Sequence, residues 1–242
     1  MPHGTPDWGL VGPISVLYGL DDMAEQAVRL GAVSSWDRIG HVIFSDNFRE
    51  GLGAWVLEGS DPTAVTCLFT GHTLSSPYCV KLRNGSAGAR YARMRHVLSY
   101  VYRGHCALEC NVTIEPGTEY IKFGLSGSTL TSRLFFYVRL IPTTGVLAWG
   151  TDGAGWTPFA TLGFVGWNVD EWHNVKLVAS IDTGYFIRFI WQGTAIDMST
   201  IPGIVLPTAV PYNWIVYIEN DSDTADQHSV YVDDVIVTID VP

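Results

Sequence analysis

The sequence predicts an all-β protein: a two-sheet antiparallel jelly-roll sandwich behind a short N-terminal arm that carries one helix. Three observations lead there. From Ile39 onward, short stretches of alternating apolar and polar residues succeed one another with no helical period between them. The connectors, among them NGSAG, PTTG, DGAG, DTG and NDSDTAD, consist of residues that accept turn conformations. Hydrophobic residues make up 47% of the 242-residue chain and charged residues 16%, below the usual quarter or so, so a large apolar core can form.

Two parts are expected, an arm over residues 1–40 and a sandwich over residues 41–242. The arm opens with MPHGTPDWGLVGPIS, rich in Gly and Pro and therefore extended or irregular. In DDMAEQAVRLG, Asp22 and Glu25 have capping-box spacing, Met23, Ala27 and Leu30 recur at helical intervals, and Gly31 stands as a C-cap. So short a helix does not hold in water alone. With Trp8, Leu10, Ile14, Leu17 and Tyr18 the arm is too apolar for a free tail. These residues are expected to pack on a neighbouring subunit, or else back over the arm's own sheet.

The strands then follow in order: HVIFSDNF, GAWVLEG, AVTCLFT, YCVKLRN, RYARMRHVLSYVY, HCALECNVTI, EYIKFGLS, SRLFFYVRL, GVLAWG, TPFATLGF, HNVKLVASI, YFIRFIWQG, YNWIVYIEN and HSVYVDDVIVTI. Strands so evenly spaced, with no helices between them, argue for stacked sheets and against a βαβ fold. In HCALECNVTI, the period of two puts Cys106 and Cys110 on the same apolar face as Leu108, Val112 and Ile114, so both thiols are expected buried and reduced. A Cys67–Cys79 disulfide stays open, and no zinc spacing occurs.

Composition narrows the partners. A net charge of −10 with three lysines excludes nucleic acid as a partner. Arg90, Arg93 and Arg95 fall at mixed parity and read as a solvated strand face. The longest uncharged run, Met198 to Ile218, is broken by Pro202, Gly203, Pro207 and Pro211, which excludes a membrane helix. MPHGTPDWG lacks the basic stretch and apolar core of a secretory signal, so synthesis without export is expected.

Three segments carry a resemblance. SDNFREGLGAWV resembles the opening strand of concanavalin A-like and carbohydrate-binding jelly rolls, with its Asp–Phe pair and later Trp. DEWHNVKLVASIDTGYFIRFIWQGTAIDM is similar to the central hairpin of laminin-G-like domains, and HSVYVDDVIVTID to their closing strand. Together they span about Val42 to Asp240. The arm resembles the N-termini of phage and viral virion proteins.

Catalytic patterns are missing. Glucanases of the resembled fold carry Glu-x-Asp-x-x-Glu on one strand, because acid and nucleophile must stand close together. That triplet does not occur, nor does the G-x-S-x-G of a nucleophile elbow. Calcium is the best chemical hypothesis. Asp221, Asp223 and Asp226 share one loop as hard oxygen ligands, although an acidic hairpin tip in water is the simpler reading. The resemblance also implies a structural calcium between first and last strands, where Asp46, Asp233 and Asp234 occupy the matching places. Trp149, Trp156 and Trp167 lie in a Gly-rich stretch that could present rings to a sugar, the alternative being core or interface.

The expectation drawn from all this is a non-enzymatic structural protein. It would be a homo-oligomeric virion component, a capsid decoration, head or tail subunit, located in the virion. The alternative is an extracellular carbohydrate-binding module with cell-surface carbohydrate as its partner.

Overall fold

A computed structural model describes residues 41–74, 77–86, 90–98, 104–128, 131–151, 155–163, 171–207 and 213–239. The arm, its helix and the apolar residues Trp8, Leu10, Ile14, Leu17 and Tyr18 lie outside the described residues, as does Trp167. Within the described residues there are strands and turns and no helix.

Among the described residues, sixteen strands form two antiparallel sheets. The first contains β1 (His41–Asp46), β3 (Val65–Phe69), β4 (Cys79–Arg83), β6 (His105–Ile114), β11 (His173–Ser180), β12 (Phe186–Trp191), β13 (Thr194–Asp197) and β16 (Ser229–Ile239). Its order is β13-β12-β11-β6-β16-β4-β3, with β1 also paired to β16. The second contains β2 (Val56–Gly59), β5 (Ala92–Leu98), β7 (Tyr120–Ser128), β8 (Arg133–Ile141), β9 (Val146–Gly150), β10 (Trp156–Thr161), β14 (Ile204–Leu206) and β15 (Trp214–Asp221). Its order is β10-β9-β8-β7-β15-β5-β2, with β14 also on β8.

Period-two alternation explains the core. Leu108, Cys110, Val112 and Ile114 of β6 and Phe123 and Leu125 of β7 point between the sheets, joined by Phe136, Val138, Phe189, Trp214 and Val237. Cys106 and Cys110 are buried and, like Cys67 and Cys79, free. Burial pushes the Cys79 thiol up to about 12 and raises both Cys106 and Cys110, which keeps them as inert thiols.

The segments that carried the resemblance have physical reasons for their composition. In SDNFREGLGAW, Asp46 accepts from the Phe48 amide (2.7 Å) and from Trp55 Nε1 (2.8 Å), holding Phe48 buried at a positive φ of 61°. In VYVDDVIV, Asp234 has φ 45° at a bulge, and Asp233 accepts from the amides of Asp234 (2.9 Å) and Leu74 (2.9 Å). The bulge marks a change of partner: β16 pairs with β4 through Val232 and with β1 from Val235. In the central hairpins, Gln192 (φ 46°) and Gly193 (φ 79°) form the two-residue turn between β12 and β13. His173 stacks on Trp191 with ring centroids 5.0 Å apart.

Candidate functional site

The outer face of the second sheet concentrates the charge of an otherwise charge-poor chain. Direct cross-strand pairing aligns Glu58 (β2), Arg93 (β5), Glu219 (β15), Lys122 (β7) and Arg139 (β8) in one row across the sheet. Two residues further along each strand, a second row aligns Arg95, Tyr217, Gly124 and Tyr137. Trp156 of β10, opposite Gly150 of β9, continues toward the sheet edge. Each of these side chains faces outward because its strand neighbours, such as Met94, Phe123, Val138 and Ile218, fill the core.

Between the rows lies a cleft of about 190 Å³, lined by Arg93, Lys122, Gly124, Tyr137, Trp156, Tyr217 and Glu219. Glycine at 124 is required there: a Cβ would stand 2.6 Å from Tyr137 Cδ1 and 3.3 Å from Tyr217 Cδ2. The two tyrosine rings therefore lean over the glycine, with centroids 5.8 Å apart. Cations and rings interleave around the cleft. Arg93 lies 5.6 Å from the Tyr217 ring centre, Lys122 5.7 Å from that of Trp156, and Arg139 4.6 Å from Trp156 and 4.4 Å from Tyr120.

The acids of the cleft are held by its cations. Arg93 Nε donates to Glu58 Oε2 at 2.8 Å, Arg95 Nε stands 2.7 Å from Glu58 Oε1, and Arg93 is 3.4 Å from Glu219. Lys122 donates to Glu219 at 2.8 Å and also pairs with Asp221. Burial works against the Lys122 charge, but Glu219 and Asp221 outweigh it and raise its pKa. Burial likewise opposes ionised Glu58, and Arg93 with Arg95 outweigh it, leaving the carboxyl below its ordinary value. Burial and the neighbouring Tyr217 raise Tyr137, which stays a neutral phenol able to donate. The hydrogen bond to Asp223 pushes Tyr120 up to about 12. Burial alone pulls Arg139 below its ordinary value.

Among the described residues proposed from sequence, Trp156 alone lines this cleft. Trp149, opposite Val138, packs half-buried against the core. In the Asp221–Asp226 loop two of the three carboxylates are engaged with side chains of the sheet. Asp221 pairs with Lys122, Asp223 accepts from Tyr120 Oη (2.7 Å), and the Asp226 carbonyl accepts from Asn84 Nδ2 (2.9 Å). Asp46, Asp233 and Asp234 tie loops and a bulge as described, and among the described residues no three His, Cys, Asp or Glu side chains gather as metal ligands. Arg93 and Arg95 share one parity on the outer face of β5, where they pair with Glu58 and line or border the cleft.

Two signals in the sequence were passed over. RLFFYVRL alternates Arg133, Phe135, Tyr137 and Arg139 outward, and YIEND puts Tyr217, Glu219 and Asp221 on one face of one strand. The latter contains Glu-x-Asp; Thr224 stands where the glucanase pattern has its second Glu.

No family model and no curated protein matches the sequence. Solved structures do match. An endo-β-1,4-glucuronan lyase from the fungus Trichoderma reesei superposes with TM-score 0.57 at 12% identity, over 82% of this chain and 95% of that one. The cellulose induced protein Cip1 gives 0.54 at 15%, over 81% and 96%. A carbohydrate esterase of the Shiga toxin-encoding bacteriophage phi24B gives 0.52 at 15%, over 83% and 99%. The fold is the concanavalin A-like jelly roll. This jelly roll corrects two expectations. The non-enzymatic virion subunit is overturned, because the proteins sharing the fold over nearly their whole length are named for a polysaccharide lyase, a cellulose response and a carbohydrate esterase. The phage-encoded one is named a carbohydrate esterase. The exclusion of an enzyme rested on a missing glucanase triplet, and it fails because a lyase has this jelly roll.

Proposed function

We propose that this jelly roll is a carbohydrate-active protein whose second sheet binds a saccharide chain across its outer face. The observation that carries the reading is the cleft itself. Tyr137, Tyr217 and Trp156 offer flat apolar rings with polar edges, and Arg93, Lys122 and Glu219 offer fixed hydrogen-bonding groups between them. Sugars present the complement, with apolar C–H faces for the rings and hydroxyls for the charged groups. The likeness to carbohydrate-active proteins of the same fold supports it. Such a ligand suits an extracellular site of action.

The test is retention on immobilised polysaccharides, followed by titration calorimetry with the best binder. Trp156→Ala and Tyr137→Ala are expected to weaken binding about tenfold each, as loss of a stacking or hydrogen-bonding contact does, with far-UV circular dichroism unchanged. Failure of every polysaccharide tried, or binding untouched by both variants, sinks the reading. A second reading, that the cleft also cleaves what it binds, is favoured by Glu219, a carboxylate nearly buried in the cleft between Arg93 and Lys122. Its test is product release from the bound polymer, abolished by Glu219→Gln.

A further inference from the structure

Along β8 the outward positions read Arg133, Phe135, Tyr137, Arg139: two aromatic rings between two guanidinium groups. Six residues at the rise of an antiparallel strand put the two arginine positions about 20 Å apart. The intervening rings are stacked, with centroids 5.6 Å apart and planes at 26°. Each guanidinium rests on an aromatic: Arg133 lies 5.0 Å from the Phe135 ring centre, and Arg139 sits on Tyr120 and Trp156. Stacking fixes the plane of a guanidinium and leaves its donor edge directed away from the ring.

The charges on this face do not close among themselves. Glu58, Glu219 and Asp221 are taken up by Arg93, Arg95 and Lys122. Among the described residues Arg133 donates to neutral oxygens, Ser126 Oγ at 2.9 Å and Tyr217 Oη at 3.4 Å. Arg139 makes no direct ion pair among the described residues, although Asp223 and Asp221 act on its charge from further off; its Nε is buried without an acceptor, and it stands directly across from another cation, Lys122. Like charges opposed on neighbouring strands repel, and a desolvated donor without an acceptor costs about 1–3 kcal/mol. An anion supplied by a ligand at the outer edge of the guanidinium relieves the repulsion.

We propose that β8 is a track for an acidic polysaccharide, with the chain running along Phe135 and Tyr137 and uronate carboxylates docked on Arg133 and Arg139. This rests on the reading of the cleft as a saccharide site and adds its substrate class. A carboxylate is the matching group because its two oxygens accept in parallel from one guanidinium edge. A polymer suits the span, since several pyranose units are needed to bridge the two arginines.

The experiment is calorimetry of the intact chain with polyglucuronate and polygalacturonate, each beside its carboxyl-reduced neutral counterpart, with dextran sulfate as a third arm. At least one acidic polymer is expected to bind about tenfold or more tightly than its reduced form, the size of a charge-assisted hydrogen bond. Arg133→Gln with Arg139→Gln should abolish that preference while leaving binding of the neutral polymer in place. Lysine at both positions should restore only part of it, keeping charge without the fork. Equal affinity for acidic and reduced polymers, a preference that survives both glutamines, or a stronger arginine-dependent preference for dextran sulfate overturns the proposal. The first comparison needs no variant, so misfolding of the double substitution leaves the test intact. If neutral polymers bind and the acidic preference is absent, only this inference falls; if nothing binds, the carbohydrate reading falls with it.

Discussion

Each sheet carries a lysine and a glutamate directly opposite one another on adjacent strands, Lys176–Glu109 across β11 and β6 and Lys122–Glu219 across β7 and β15. The side chains of the first pair are 1% and 5% exposed, those of the second 21% and 11%. On the first sheet the pair is sealed, beside Ala107 and Val178, which form a small apolar cluster of their own on that outer face. On the second sheet the pair is part of a chain of charges running from Glu58 to Asp221, interleaved with rings and open to a cleft. The same two residue types in the same register thus do different work. Where water is excluded, the pair is a structural commitment; where a cleft reaches it, the pair sets the position of groups that a ligand can meet.

The sharpest way to break this contrast is to remove one partner from each pair. Lys176→Ala takes from the buried Glu109 carboxylate its cross-strand cation and is expected to cost about 3–5 kcal/mol. Lys122→Ala should cost about 1 kcal/mol or less, because Glu219 keeps Arg93 and some access to water. Urea unfolding of the two variants decides it. Similar losses would mean that exposure does not separate the pairs. Joint replacement, Lys176→Met with Glu109→Leu, should recover most of the stability lost by the single change, since neither half of the pair is then left buried without the other.

A smaller effect separates the sheets by pH. Burial of His173 disfavours its imidazolium and lowers its pKa below the ordinary 6.5. A group whose folded pKa is lowered contributes stability that is present above its unfolded pKa and lost as pH falls toward the folded one. Stability should therefore decline below about pH 6.5, with a slope of up to about 1.4 kcal/mol per unit for one proton. His173→Gln should flatten the decline in urea midpoints measured between pH 7 and 5. A slope unchanged in that variant assigns the proton elsewhere.

The fold was legible because alternation is a local property. All of the long strands could be read from period two, and the turn residues divided them. β13 and β14 were not, since TAID and IVL are too short for a period, and IVL lies between Pro202 and Pro207. The site was far less legible. Its rows run across strands, uniting residues as distant as Glu58 and Glu219, so only register brings them together. Parity along single strands did hold part of the answer, in Arg133 to Arg139 and in Tyr217 to Asp221. Loop tryptophans and aspartates drew attention instead because they are conspicuous in sequence. In the fold, Trp149 serves the core and Asp46 a loop tie.

The smallest expected effect lies at the far edge of the charged row, and it tests whether the second sheet's network behaves as a surface network. Arg93 and Arg95 hold the Glu58 carboxyl below its ordinary value of 4.5 despite the opposing effect of burial. Its folded pKa is lowered, so its contribution is present above the unfolded pKa and lost as pH falls through and below 4.5. That window lies well under the one assigned to His173, so the two sheets should lose stability in separate steps on acidification. The Glu58 side chain is 26% exposed and its partners 27% and 31%, so solvent screens the pairs and the contribution stays under about 1 kcal/mol. Glu58→Gln should lower the urea midpoint slightly at pH 7 and not at pH 3, and added salt should shrink the difference. A loss of several kcal/mol that ignores salt would place Glu58 with the sealed pair of the first sheet. The cleft would then be a rigid core feature, and its charged row could not be available to a ligand.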